Sequence, residues 1–210
     1  MVHKNIFNSR DEWLEARKNY IGGSDASAIL GLNPWKSNIE LWEEKTGLRE
    51  PKSIDDLVYV QYGTKAEELL RELFKLDYPK YKVIYEPNNS YMNDKYEFAR
   101  ASLDGLILTP EGKKGILEIK TTSATNYLKW KDKIPDNYYI QVLWYLGILE
   151  ADFAIVKCQM KHQDTSSTIR HYRFERENVE DDIKYLFEEA GKFWEFVKSG
   201  ERPALKLPNI

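Results

Sequence analysis

Cysteine is nearly absent: of 210 residues only Cys158 carries a thiol. One thiol closes no intrachain disulfide and holds no iron–sulfur cluster, which excludes the disulfide-rich secreted class and the four-cysteine cluster enzymes. Long apolar runs are missing as well, with nothing near the ~18 consecutive apolar residues of a membrane span. With no secretory leader, the chain reads as a soluble intracellular protein with no membrane partner. Histidine is scarce, and His3, His162 and His171 show no metal-ligand spacing. Internal repeats and low-complexity tracts are lacking, and the length suits one domain spanning 1–210. An excess of positive charge is also lacking: 31 Lys and Arg stand against 34 Asp and Glu, for a net charge of -3. A phosphate-binding surface must therefore be a local basic patch and not the whole exterior.

Two short apolar runs are present, Ser102-Leu103-Asp104-Gly105-Leu106-Ile107-Leu108 and Gly115-Ile116-Leu117-Glu118-Ile119-Lys120. Both read as strands. The segment Thr109-Pro110-Glu111-Gly112-Lys113-Lys114 between them has turn composition, which predicts an antiparallel pair with Asp104 beside Glu118. Strand alternation places Glu118 and Lys120 on one face and Leu117 and Ile119 on the other. Two carboxylates and an ammonium suit phosphodiester hydrolysis: hard Mg2+ or Mn2+ takes carboxylate oxygens, activating water, while a lysine orients that water or stabilises developing charge. The plainer alternative is a cross-strand ion pair beside an Asp-Gly turn.

Ala66, Leu69, Leu70, Leu73 and Phe74 recur at helical spacing within Gly63–Phe74. Glu67 lies beside this stripe and is the candidate third acid, whereas Glu68 and Glu72 face solvent. Its alternative is an i,i+4 pair with Arg71. A proline and a capping-type residue open a second, strongly apolar helix over Ile134–Leu146. Gln141 and Tyr145 share a face there, and the buried amide must either satisfy the core or address a ligand.

Taken in order, a glycine then a glutamate in a helix, Ser-Leu-Asp-Gly, Glu-Ile-Lys-Thr and Pro-x-x-Tyr-x-x-Gln-x-x-x-Tyr-Leu resemble the YqaJ-type, lambda-exonuclease-like viral recombinase nucleases of the PD-(D/E)XK superfamily. The resemblance runs from about Arg17 to Tyr145, with Ser-Leu-Asp standing where the nominal pattern has Pro-Asp. It implies an α/β (α+β) restriction-endonuclease-like core, a central mixed sheet flanked by helices. It also implies that Asp104, Glu118 and the Ile119 carbonyl hold Mg2+ (Mn2+ substituting), that Glu67 completes the acidic site, and that Lys120 assists the attacking water. Arg17 with Ser24 seven positions on matches the family's first motif. The pattern then places Arg17, Ser24, Ser102 and Gln141 around a DNA 5′-phosphate. Ser24, after Gly22 and Gly23, reads as the N-cap of a short helix, a ready anion site.

Trp35, Lys36, Lys129, Lys131 and Tyr145 are candidates for lining a DNA path, Lys129 and Lys131 because they flank Trp130; the lysines are otherwise solvated surface. The expected activity is 5′ to 3′ exonucleolysis of double-stranded DNA leaving a 3′ strand. A ring trimer, a single-strand annealing protein as partner, and a cytoplasmic location in a bacterial or phage-infected cell follow from the same resemblance. An endonuclease of the superfamily and a non-catalytic DNA-end-binding protein are the alternatives.

The rest reads as scaffold. Ser9-Arg10-Asp11-Glu12 and Ser37-Asn38-Ile39-Glu40 are capping boxes, the second opening a helix that stops near Gly47. Strands are expected near Phe153–Met160 and Ser167–Phe174, with Cys158 as a small core residue. Apolar residues from Val179 to Val197 stripe a C-terminal helix.

Overall fold

A computed structural model describes residues 1–207. Five strands form the central sheet: β2 (Lys82–Ile84), β4 (Gly105–Leu108), β5 (Lys114–Ser123), β6 (Phe153–Lys161) and β7 (Ser167–Glu175). Their spatial order is β2-β4-β5-β6-β7. Only β5 and β6 run parallel, and the helix α5 (Asp136–Leu149) lies in the connection between them, as a parallel pair requires. A separate ribbon pairs β1 (Val2–Ile6) with β3 (Asn89–Asn93). Around these lie α1 (Arg10–Arg17), α2 (Gly23–Ile29), α3 (Asn38–Lys45), α4 (Val58–Asp77) and α6 (Glu180–Ser199).

The sheet is buried on both faces, each by different residues of the same strands. On one, Ile116, Ala154, Val156 and Cys158 meet α5, α2 and α6. Every residue of α5 from Ile140 to Leu149 is buried, which explains why its apolar pattern runs all round the helix. Ile183, Leu186, Phe187, Ala190 and Phe193 of α6 close this core as the stripe predicts. On the other face, Ala66, Leu70 and Phe74 of α4 pack on Ile107, Leu117, Ile119, Phe153 and Ile155.

Two local expectations are corrected and a third is met. The α4 stripe is narrower than its sequence suggests: Ala66, Leu70 and Phe74 repeat every fourth residue against the sheet, and this rotates Leu69 and Leu73 into solvent. Glu12 does not close a box on Ser9, because its carboxylate takes the Asn8 backbone N–H and side chain; only Ser9 Oγ accepts from Glu12 N–H. Ser37 and Glu40 form the complete reciprocal box, and Gly47 beyond α3 has the positive φ of 77° that a helix stop uses.

Candidate active site

The site forms where β4 gives out. Its register with β5 ends at Gly105 opposite Leu117, so the β5 edge is open from Glu118 onward. The sequence predicts a strand from Ser102, but it begins only at Gly105. Residues before it are instead held by the buried amide of Asn89, which accepts from Leu103 N–H at 2.8 Å and donates to Leu103 C=O at 2.9 Å. A side chain that supplies both bonds replaces the ladder and leaves the segment irregular. Asp104, at the bend, turns its Oδ2 to the open edge and accepts the Ile119 N–H at 2.7 Å. A strand residue's carbonyl leaves the same edge as its N–H, so Ile119 C=O faces the same gap.

Glu118 and Lys120 share the α5 side of β5, with Lys120 Nζ 2.6 Å from Glu118 Oε1. Gln141 of α5 donates to the same oxygen at 2.8 Å. Glu118 is only 2% exposed, and its second oxygen, Oε2, is buried without a partner. Burial, with the nearby Asp104 charge, pushes the Glu118 carboxyl up to about 8. Burial also raises Asp104, against the pull of Lys120. Lys120 is held firmly protonated: burial opposes its charge, but Glu118 and Asp104 together outweigh that cost.

Glu67 reaches the site from α4, on the opposite layer of the sheet. Burial and Asp104 raise its carboxyl to about 7, and Arg71 one turn on holds its Oε1 at 2.5 Å. Among the described residues no three acidic, histidine or cysteine side chains converge closely enough to enclose one ion. Glu67 comes from α4 and is held by Arg71, Asp104 comes from the bend before β4, and Glu118 comes from β5. The donor chemistry still fits a hard divalent cation: every candidate ligand is oxygen, Glu118 Oε2 is orphaned, and three mutually repelling acids share the cations Lys120 and Arg71. Asp104, Glu118 and the Ile119 carbonyl would hold it, with Glu67 on the outer side.

A cationic patch adjoins the acids. Arg17 ends α1 and donates from Nη2 to Ser24 Oγ at 2.9 Å. The guanidinium lies 4.8 Å from the centre of the Trp13 ring, and Trp13 Nε1 donates to Ser102 Oγ at 3.1 Å. Ser24 is not the N-cap of α2. That position is Gly22, whose N–H is taken by buried Asp25 at 3.2 Å, so the helix starts earlier and leaves the serine hydroxyl to Arg17. Burial disfavours the Asp25 charge, but Lys45, Arg17 and Lys36 outweigh it and hold the carboxyl well below its usual range. Gly23 lies directly against the Tyr145 ring; an added Cβ would sit 2.4 Å from Cε1. Gln141 donates to Tyr145 Oη at 2.8 Å as well as to Glu118. Contacts thus run without a break from Arg17 and Ser24, through Gly23, Tyr145 and Gln141, to Glu118 and Lys120, and Trp13 ties Ser102 to Arg17.

The candidate DNA-path residues fare unevenly. Trp35 is 72% exposed, but Lys36 is turned inward onto Glu44 and Asp25. Lys129 and Lys131 are exposed. Trp130 between them is buried against Tyr138 and Tyr172 and offers no stacking surface, because the short 3₁₀ segment Ala124–Trp130 turns it under the chain. Tyr145 is 4% exposed, so it supports Gln141 from the core and does not line a groove. Sequence reasoning passed over Trp13, Asn89 and the Asp25–Lys45 pair. For Trp13 a signal existed, since it precedes Arg17 by one helical turn.

A mixed sheet with Asp104, Glu118 and Lys120 gathered where its β4–β5 hairpin opens defines a PD-(D/E)XK-type α/β fold. The YqaJ-like viral recombinase domain profile matches residues 12–152. The chain belongs to that family. It is 37% identical to the uncharacterized protein YqaJ of Bacillus subtilis strain 168, in an alignment of 215 positions covering 98% of this chain and 62% of that protein. The chain therefore spans somewhat under two thirds of that relative. Its fold is similar to the alkaline exonuclease LHK-Exo of Laribacter hongkongensis, with TM-score 0.66, 15% identity, and 91% and 96% of the two chains covered. It is also similar to a phage related exonuclease from Haemophilus somnus 129PT, with TM-score 0.57, 17% identity, and 86% and 96% covered.

Proposed function

We propose that the protein is a Mg2+-dependent deoxyribonuclease that degrades one strand of duplex DNA from a 5′ end and leaves a 3′ single strand. The carrying observation is the unbroken contact path from the Arg17–Ser24–Ser102 patch to Glu118 and Lys120 of the acidic site. A cation-lined phosphate pocket next to a hydrolytic centre measures the cut from a strand end. Membership of the YqaJ-like family supports this, as does the fold shared with LHK-Exo, which has also been solved with dAMP.

Within this reading Arg17 takes the terminal phosphate by charge-assisted hydrogen bonds, and Ser24 and Ser102 supply hydroxyl donors. Gln141 fixes the rotamer of Glu118. Lys120, held protonated, orients the attacking water or offsets charge developing on the phosphoryl oxygens. Bound at Asp104 and Glu118, Mg2+ or Mn2+ would polarise the phosphoryl group and acidify water. The 3′ strand left behind is the substrate of a single-strand annealing protein, the natural partner, and a homotrimeric ring around the duplex belongs to the same proposal. None of the described helices is long and apolar enough to cross a membrane, and a cytoplasmic site of action belongs to the proposal too.

The test uses linear duplexes with either strand labelled, 5′-phosphorylated or not, beside closed circular DNA and an EDTA control. Metal-dependent loss of the 5′-phosphorylated strand with intact circles is the expected result. Circle cutting would instead assign an endonuclease, and tight end binding without turnover a non-catalytic end-binding protein.

A further inference from the structure

Arg71 is a cation held inside the site, 5% exposed, on the α4 turn that follows Glu67. Its Nη2 donates to Glu67 Oε1 at 2.5 Å, and its Nε donates to the backbone carbonyl of Asp104 at 2.6 Å. The guanidinium lies 3.4 Å from the centre of the Tyr85 ring, which covers its third side. One planar group therefore joins the third acid on one layer of the sheet to the backbone that carries the first acid. Only one Glu67 oxygen is consumed, and Oε2 is left for the site.

We propose that Arg71 is the positioning residue of the metal centre, fixing Glu67 relative to Asp104 so that its carboxylate flanks, from the outer side, the ion that Asp104 and Glu118 would hold. This rests on reading Asp104, Glu118 and Glu67 as a divalent-metal site. The fork matters, since a guanidinium donates in two directions from a rigid plane whereas an ammonium is a point charge on a flexible stem. Groups that hydrogen-bond a ligating carboxylate typically govern metal affinity by about 10- to 100-fold.

Charge and position make opposite demands, which makes the role testable. Removing a cation beside the site strengthens divalent binding by charge alone, whereas losing the orientation of Glu67 weakens it. The experiment titrates Mn2+ into the full chain without DNA, by calorimetry and by electron paramagnetic resonance, for wild type, Arg71→Met, Arg71→Lys and each combined with Glu67→Gln. Thermal melts identify any variant that fails to fold, and Arg71→Lys retains the buried charge should Arg71→Met be lost. Expected is about 10- to 100-fold weaker Mn2+ binding in both single variants, with no further loss once Glu67 is already Gln. Unchanged or tighter binding in folded Arg71→Lys, or a loss that adds in full to that of Glu67→Gln, would overturn the role while leaving the metal site intact. No Mn2+ binding by the wild type would overturn the site reading itself and the role of Arg71 with it.

Discussion

Glu118 and Gln141 meet at a single atom: Gln141 Nε2 donates to Glu118 Oε1, the oxygen that Lys120 also holds, while Glu118 Oε2 is buried with no partner. One half of the carboxylate is thus fixed by two donors and the other half is presented bare. A buried oxygen left this way costs free energy in the absence of a ligand, and the strain is expressed in the carboxyl's raised proton affinity.

That affinity sets a pH dependence. The Glu118 carboxyl rises from 4.5 to about 8 in the folded protein. A group whose folded pKa is raised stabilises the fold fully below its unfolded value and loses that contribution as pH climbs through the folded one. Melting in EDTA should therefore shift to lower temperature between about pH 5 and pH 9, and Glu118→Gln should flatten the dependence. Added Mg2+ should reverse the trend, because it binds the ionised carboxylates and stabilises more at high pH than at low. Melts across pH with and without Mg2+ check this, and an identical slope in Glu118→Gln would contradict it.

Lys120 should be separable from folding. Its side chain is partly solvated on the ligand side, so Lys120→Met should keep the melt cooperative while single-turnover cleavage falls by about 10²- to 10⁴-fold, the usual worth of a positioned acid or base. Circular dichroism reports the fold and a labelled duplex the rate. Cleavage at the wild-type rate would remove Lys120 from the mechanism.

The acids were legible in the sequence because β5 alternates and its turn to β4 is short, so local rules alone put Asp104 near Glu118 and pair Glu118 with Lys120. Glu67 was legible only as a position beside a helical stripe; that α4 lies on the opposite layer, and that Arg71 holds Glu67 there, follows from packing. Ser102 was misplaced on a strand because nothing local announces that Asn89, thirteen residues earlier, takes over the backbone bonds of Leu103. The ribbon strand β3 reads Asn-Ser-Tyr-Met-Asn and β2 is only three residues long, neither with an alternation to detect. Tyr145 and Trp130 looked like DNA-facing aromatics because polarity of neighbours is a weak guide to which way a helix or 3₁₀ turn is rotated.

Gly23 offers a test of the path between the two halves of the site. With an added Cβ only 2.4 Å from the Tyr145 ring, Gly23→Ala must displace the ring, which should destabilise by about 1–3 kcal/mol as overpacking does. Moving Tyr145 also moves the acceptor of Gln141, so Gln141 loses one of its two partners. Urea unfolding should show the loss in Gly23→Ala and a smaller one when it is made in a Tyr145→Leu background. Full additivity would mean that the two residues do not press on each other.

Arg17 makes the sharpest claim about substrate. Its guanidinium is partly exposed between Ser24 Oγ and the Trp13 face, and Asp25 stands 3.8 Å away with Lys36 and Lys45 balancing it. Asp25 is thus committed to neighbouring cations and does not neutralise Arg17 alone, which leaves a net positive pocket. A charge-assisted hydrogen bond to a terminal phosphate is worth about 1.5–3 kcal/mol. Arg17→Ala should therefore slow cleavage of 5′-phosphorylated duplexes by about 10- to 100-fold, since each 1.36 kcal/mol is tenfold. The 5′-hydroxyl duplex, which lacks the phosphate, should be cleaved at nearly the wild-type rate. Raised salt should shrink the wild-type preference and leave the variant unaffected, because the contact is ionic. Equal slowing on both ends would show that Arg17 supports the fold of α1 and α2 and not the recognition of a strand end.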